Sequence, residues 1–160
     1  MRQTGERRRS MPYRDLQDIL SITVGWERDL KDLYDVAEVA FREEKSKKVV
    51  ALLRDKLVRN LQVLESVDVE KFGKTEWVMY STDFRTDDLI PRMKFKKDST
   101  PKEIFERILE CEEKMKDFYS TIRDLLVSRK QQELLDSLVT FKVGQIIDIK
   151  NYMESYDFFI

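Results

Sequence analysis

Apolar residues recur at spacings of three and four along four long stretches of the chain, the period of a helix with one buried face. The first stretch, about Asp15 to Glu43, places Leu16, Ile19, Leu20, Leu30, Leu33, Tyr34, Ala37 and Phe41 on one stripe. The second, about Ser46 to Val67, does the same with Val50, Leu53, Leu57, Leu61 and Leu64. A third stretch, about Pro101 to Ser128, carries Ile104, Ile108, Met115, Phe118, Tyr119, Ile122 and Leu126. The fourth, about Gln131 to Tyr156, carries Leu135, Leu138, Val139, Ile146, Ile149, Tyr152 and Met153. The third has the clearest start: Thr100 can cap, Pro101 suits the first turn and Glu103 completes a capping box.

The first and second stretches are joined by a short connection, as are the third and fourth, so each pair predicts an antiparallel helical hairpin. The link between the hairpins, about Asp68 to Ser99, is long and contains Phe72, Trp77, Tyr80, Phe84, Ile90, Met93 and Phe95. A linker this aromatic is expected to pack along the bundle, with room for a short helix of its own, rather than to behave as a flexible polar tether. The expectation is an all-α four-helix bundle of two antiparallel hairpins, one domain over residues 15–160, with 68–99 as the crossover.

The two hairpins match at a constant offset of 85 residues. Ile19 pairs with Ile104, Leu20 with Phe105 and Glu27 with Glu112, and Lys31-Asp32-Leu33-Tyr34 pairs with Lys116-Asp117-Phe118-Tyr119. Without a gap the register continues through Val50 and Leu135, Leu53 and Leu138, Leu61 and Ile146, and Leu64 and Ile149. Amphipathic helices align easily by chance. The shared Lys-Asp-x-Tyr stretch and the gapless register favour duplication.

Composition narrows the chemistry. Thirty basic and 31 acidic residues leave a net charge of −1, so no general attraction to nucleic acid or acidic substrates follows. The one basic block, Arg7-Arg8-Arg9, precedes the helical pattern and reads as part of a flexible basic tail over residues 1–14, although it could touch phosphates or a membrane surface. Met11 offers an alternative start, which leaves residues 1–10 open as an extension. No apolar run approaches a membrane span and no apolar stretch follows the arginines, so neither membrane insertion nor a signal peptide is expected. A single cysteine, Cys111, excludes an internal disulfide and fits a cytoplasmic location. The absence of histidine excludes a His-based triad, a His general base and any imidazole-ligated metal.

Two carboxylates stand out. Glu27 falls on the first apolar stripe between Thr23 and Leu30, and Glu112 on the third between Ile108 and Met115. A carboxylate on a buried face must find a partner or take up a proton. A bundle with a long crossover, with Glu followed seven residues later by Tyr on its first and third helices, resembles the rubrerythrin-like branch of the ferritin-like superfamily. The resemblance covers about Asp15 to Tyr156. In that class a di-iron centre is held by one Glu from each of two helices and a Glu-x-x-His from each of the other two.

The resemblance implies that Glu27 and Glu112 correspond to the first pair of ligands. It also implies that Leu57 and Asn60, and Lys142 and Gln145, stand where the two Glu-x-x-His pairs would be. A one-residue shift offers Lys56 and Arg59, or Val143 and Ile146, which are no better. Four of six ligands are missing, so the site reads as degenerate and no metal is expected. The departures look coordinated. Lys142 puts a positive charge on an apolar stripe, and Asn60 and Gln145 bring amides that can donate to a carboxylate. Lys142 is expected to pair with Glu27 and Glu112 inside the bundle; the other reading lets its stem reach out and place the ammonium in water.

The remaining candidates are weaker. Tyr34 and Tyr119 read as core residues with hydrogen-bonded hydroxyls, and Cys111 as a buried, inert thiol. Trp26 and Trp77 mark an interface or pack against each other, and the apolar end Tyr156-Asp157-Phe158-Phe159-Ile160 should dock on the bundle or on a partner. No residue is singled out as catalytic. The first functional reading is a non-enzymatic bundle retained as a structural, regulatory or protein-interaction module, as a homodimer or with a protein partner. The alternative implied by the resemblance is an iron-dependent peroxidase or oxidase, or a metal-binding protein; only then is iron a cofactor. A small-molecule binder using the vacated core is a third possibility. No Cys-x-x-Cys pair is present for a rubredoxin-type iron site.

Overall fold

In the computed structural model, which describes residues 13–79 and 98–156, nearly all regular structure lies in four helices. These are α1 (Leu16–Ala40), α2 (Glu44–Glu65), α3 (Pro101–Leu125) and α4 (Arg129–Tyr156). The architecture is an all-α four-helix bundle. Asp15 caps α1 by accepting from the Asp18 amide at 2.9 Å. The capping box of α3 is formed: the Thr100 hydroxyl accepts from the Glu103 amide at 3.1 Å, and the Glu103 carboxylate accepts from the Thr100 amide at 2.8 Å.

Side-chain contacts fix the helix directions. Lys47 donates to the Glu38 carbonyl at 2.9 Å, Arg54 pairs with Asp35 at 3.2 Å, and Arg28 pairs with Glu65. Partners rise along α2 as they fall along α1, so the two are antiparallel. Arg123 with Asp136 at 2.9 Å and Lys150 with Glu113 at 3.7 Å show the same for α3 and α4. Between hairpins, Phe41 stacks on Phe105 with ring centroids 4.9 Å apart, and Trp26 meets Phe118 edge-on at 4.8 Å. Helices α1 and α3 are therefore antiparallel too.

The helix boundaries repeat. Helices α1 and α3 each have 25 residues and both begin and end 85 positions apart. The starts of α2 and α4, Glu44 and Arg129, are also 85 apart. The first and third helices end three residues earlier than the apolar pattern suggests. Phe41 and Leu126 leave helical geometry at ψ 140 and 146, yet both side chains stay buried. Each serves the core as an extended residue rather than a helical one, a distinction that an apolar stripe does not record.

The inter-hairpin connection starts near the N-terminal end of α1, where the Val69 amide donates to Gln17 at 3.1 Å, while the start of α3 lies beside Phe41, just past the C-terminal end of α1. Its first part forms a short 3-10 helix, Val69–Phe72, and a strand, Trp77–Met79. That strand pairs antiparallel with Tyr13–Asp15, with Arg14 opposite Val78. Tyr13 and Arg14, assigned above to the flexible tail, thus belong to a two-stranded ribbon. The pairing needs a partner 64 positions away, beyond the reach of a local reading. Residues 1–12, 80–97 and 157–160 lie outside the described residues. With them lie the basic block, the expected packing of Tyr80, Phe84, Ile90, Met93 and Phe95, and the apolar C-terminal end.

Glu76 ties the ribbon to the bundle. Its carbonyl accepts from the Leu16 amide at 3.0 Å, and its carboxylate accepts from the amides of Val127 (2.9 Å) and Ser128 (2.5 Å) at the entry to α4. These donors precede a helix start, where a carboxylate is favoured. Glu76→Ala should therefore lower stability by about 1–2 kcal/mol, measured by urea unfolding, with helix content unchanged in the folded protein.

Candidate functional site

Helical spacing places one titratable group from each of three helices at mid-bundle. Glu27 follows Thr23 by four residues and precedes Leu30 by three, so it lies on the inward stripe of α1; Glu112 has the same relation to Ile108 and Met115 on α3. Lys142 enters from α4. All three side chains are fully buried. The Lys142 ammonium donates to Glu27 Oε1 at 2.6 Å and forms an ion pair with Glu112 Oε1 at 3.0 Å. The Glu112 contact lacks the direction of a hydrogen bond, since Oε1 has no hydrogen-bond partner by angle. It is an electrostatic contact first. The Nζ atom also lies 5.6 Å from the Phe141 ring centroid.

Each carboxylate turns its other oxygen to a tyrosine of the opposite hairpin. Tyr34 donates to Glu112 Oε2 at 2.6 Å, and Tyr119 donates to Glu27 Oε2 at 2.7 Å. The two bonds exchange under the 85-residue offset, as a pseudo-twofold arrangement of hairpins requires. Sequence reasoning placed both hydroxyls in the core but did not name their acceptors. The signal was available: a Glu and a Tyr seven residues apart on each of two antiparallel helices place each Tyr opposite the other helix's Glu.

Burial dominates the electrostatics. Desolvation pushes the Glu27 pKa up, with Lys142 opposing and Glu112 reinforcing the rise. For Lys142, desolvation favours the neutral amine, but the two glutamates outweigh it and raise the pKa, so the ammonium is kept. Tyr34 and Tyr119 are pushed well above the usual phenol range, by burial first and then by the adjoining carboxylates. Both remain neutral donors. Cys111 is buried and its thiol is pushed up to about 12, chiefly by desolvation, so it is inert.

The two amides do not join the cluster. Gln145 donates instead to the Leu53 carbonyl of α2 at 3.0 Å, and the buried Asn60 Nδ2 has no hydrogen-bond partner among the described residues. The expectation that they would donate to the carboxylates is corrected on this point. Gln145 lies on the seam between α4 and α2, where a main-chain carbonyl is within reach; Asn60, at the equivalent place on α2, is one methylene shorter. Leu57, equivalent to Lys142, is fully buried and apolar. Trp26 is buried against Phe118, whereas Trp77 is 66% exposed, so the two tryptophans lie in different environments.

The donor set does not fit a di-iron centre. Glu27 and Glu112 face a fixed ammonium, Leu57 is apolar, the Asn60 amide makes no hydrogen bond through Nδ2 among the described residues, and Gln145 is engaged elsewhere. Among the described residues no group of three or more His, Cys, Asp and Glu is gathered to hold a metal ion. Fold and site together define a four-helix bundle with a buried Lys–Glu–Glu cluster braced by two tyrosines. No protein-family model matches the chain, and no curated protein or solved structure does either.

The cluster's energetics are testable by substitution. Lys142→Met leaves two carboxylates facing each other without a cation and should cost about 3–5 kcal/mol in urea unfolding. A second protein with Glu27, Glu112 and Lys142 all changed to Met, and Tyr34 and Tyr119 changed to Phe so that no hydroxyl is orphaned, should lose far less. Parent-like unfolding of Lys142→Met would mean that the buried ion pairs contribute nothing.

Proposed function

We propose that this chain is a non-enzymatic helical module of ferritin-like, rubrerythrin-like descent in which Lys142 has replaced the di-iron centre. Glu27 and Glu112 are, on this reading, partners of Lys142 and not metal ligands. The observation that carries it is the position of the Lys142 ammonium, 2.6 Å from one carboxylate and 3.0 Å from the other, where a cation would otherwise bridge them. A fixed charge there repels a metal ion and removes the open coordination positions that oxygen or peroxide chemistry needs.

The same burial argues against catalysis by the cluster itself. Glu27, Glu112 and Lys142 have no exposed surface, so a substrate would have to enter a packed core. Work done at the surface fits the rest of the molecule better. Val39 and Val127 are more than four-fifths exposed, and Trp77 and Ile147 at least half. The reading is therefore a structural, regulatory or protein-interaction component, acting as a homodimer or with a protein partner in the cytoplasm.

Metal analysis tests the proposal. Protein produced with ample iron should contain well under one iron per chain and show no peroxidase activity. Stoichiometric iron that disappears on Glu27→Gln or Glu112→Gln substitution would replace this reading with an iron-dependent oxidoreductase.

A further inference from the structure

Helix α2 turns a stripe of residues to solvent that the packing of the bundle does not use. Leu52, Asp55, Arg59 and Val63 follow one another at intervals of three, four and four residues. They therefore share an arc of about 80° on the helix surface. Leu52 and Val63 are each more than half exposed, and Arg59 is exposed as well. Asp55 is 57% exposed; among the described residues it is reached by Arg54 alone, at 3.5 Å, and that arginine is shared with Asp35 and Glu38. Arg59 makes no ion pair among the described residues.

The repeat shows that the fold does not require these four side chains. At the 85-residue offset, α4 carries Ser137, Thr140, Gly144 and Asp148 in their place. Nor is the pattern shared by α1. There the stripe of the exposed Val36 and Val39 continues through Asp32, Gly25 and Asp18 and has no basic residue.

The order along α2 is apolar, acid, base, apolar. Read in reverse it becomes apolar, base, acid, apolar, which is its own complement. Leu52 and Val63 are centred between positions 57 and 58, and Asp55 and Arg59 on position 57. A two-fold axis crossing α2 at this level sets Leu52 against Val63 of a second copy and Asp55 against its Arg59. Each pair then occurs twice, matched to within about 1 Å along the helix. A parallel pair of helices would instead set Arg59 against Arg59 and Asp55 against Asp55, which repel.

We propose that the outward face of α2 is a self-association surface, on which a second copy of this chain docks its own α2 antiparallel, with Leu52 on Val63 and Asp55 paired to Arg59 across a two-fold axis. Apolar contacts lie at both ends of the patch and opposite charges at its middle, so the same residues supply attraction and fix direction. A single helix crossing buries less than a standard-size interface, and the association is reversible and concentration dependent. The inference rests on the reading of the chain as a protein-interaction module and names the partner.

Sedimentation equilibrium over a concentration series tests it. The metal-free parent should pass from monomer to dimer as concentration rises. Leu52→Asp should raise the dissociation constant at least about tenfold, with circular dichroism and the urea midpoint close to those of the parent, because the residue lies outside the core. Arg59→Glu leaves two acids on the stripe and Asp55→Arg leaves two bases, so each should weaken self-association in the same way. An equimolar mixture of these two variants should recover the dimer, since each acid again faces a base. Direction has its own readout: Leu52→Cys and Val63→Cys proteins, mixed and oxidised, should cross-link to each other in preference to themselves. A parent that stays monomeric up to millimolar concentration, a dimer indifferent to all three substitutions, a mixture that stays monomeric, or cross-links between like positions would each overturn the inference. Those results leave the proposed module standing with another partner, whereas iron bound at Glu27 and Glu112 would overturn the proposed function and leave the self-association result as measured.

Discussion

An ammonium shut away from water needs negative charge beside it, and the arrangement of three helices around Lys142 follows from that need. The desolvation of one lysine and two glutamates is a large penalty, offset only when the charges meet at hydrogen-bonding distance. Contacts of 2.6 and 3.0 Å supply this, and they require α1, α3 and α4 to meet at one level of the bundle. A displacement of α4 by one helical turn, about 5.4 Å, would pull Nζ away from both glutamates and leave three polar groups among leucines. Apolar stripes tolerate some sliding; a buried ion cluster does not. It therefore fixes the register of the hairpins more tightly than the surrounding packing.

The tyrosines extend that constraint. Tyr34 and Tyr119 cross from each hairpin to the carboxylate of the other, so α1 and α3 are tied at two levels seven residues apart along each helix. Phe41 on Phe105 and Trp26 on Phe118 continue the same seam with apolar contacts. Helix α2 contributes differently. Its core residues at this level are Leu57 and the backbone around Leu53, and its outer face is held by Arg54 to Asp35 and by Lys56 to Asp148 at 3.0 Å. The second and fourth helices thus start at equivalent positions and are unlike in chemistry.

Much of this was legible in the sequence. The four helices, their pairing and the 85-residue repeat were carried by periodicity, because a buried helix face must recur at 3.6 residues. Glu27, Glu112 and Lys142 drew attention because each interrupts an apolar stripe with a charge. The ribbon of Tyr13–Asp15 with Trp77–Met79 was not legible: three-residue strands have no period to detect, and their pairing depends on where the bundle places both ends. The amides were misassigned for a related reason. Residue type shows that Gln145 can donate, but only the geometry shows that the Leu53 carbonyl is the nearer acceptor.

The unlike chemistry of Leu57 and Lys142 bears on which chains can assemble with which. Two hairpins with first helices of equal length and short turns are natural candidates for exchange between molecules, since each offers the surface that the other covers. Copies of the first hairpin paired with each other would bury two Glu27 side chains against two Leu57 residues, with no cation between them. Copies of the second would bring two lysines to two glutamates in a space sized for one lysine and one leucine. Only the unlike pairing provides one cation at the volume available. The broken symmetry of the core thus discriminates against like-with-like assembly of its halves, whether the correct partner lies on the same chain or is swapped in from another.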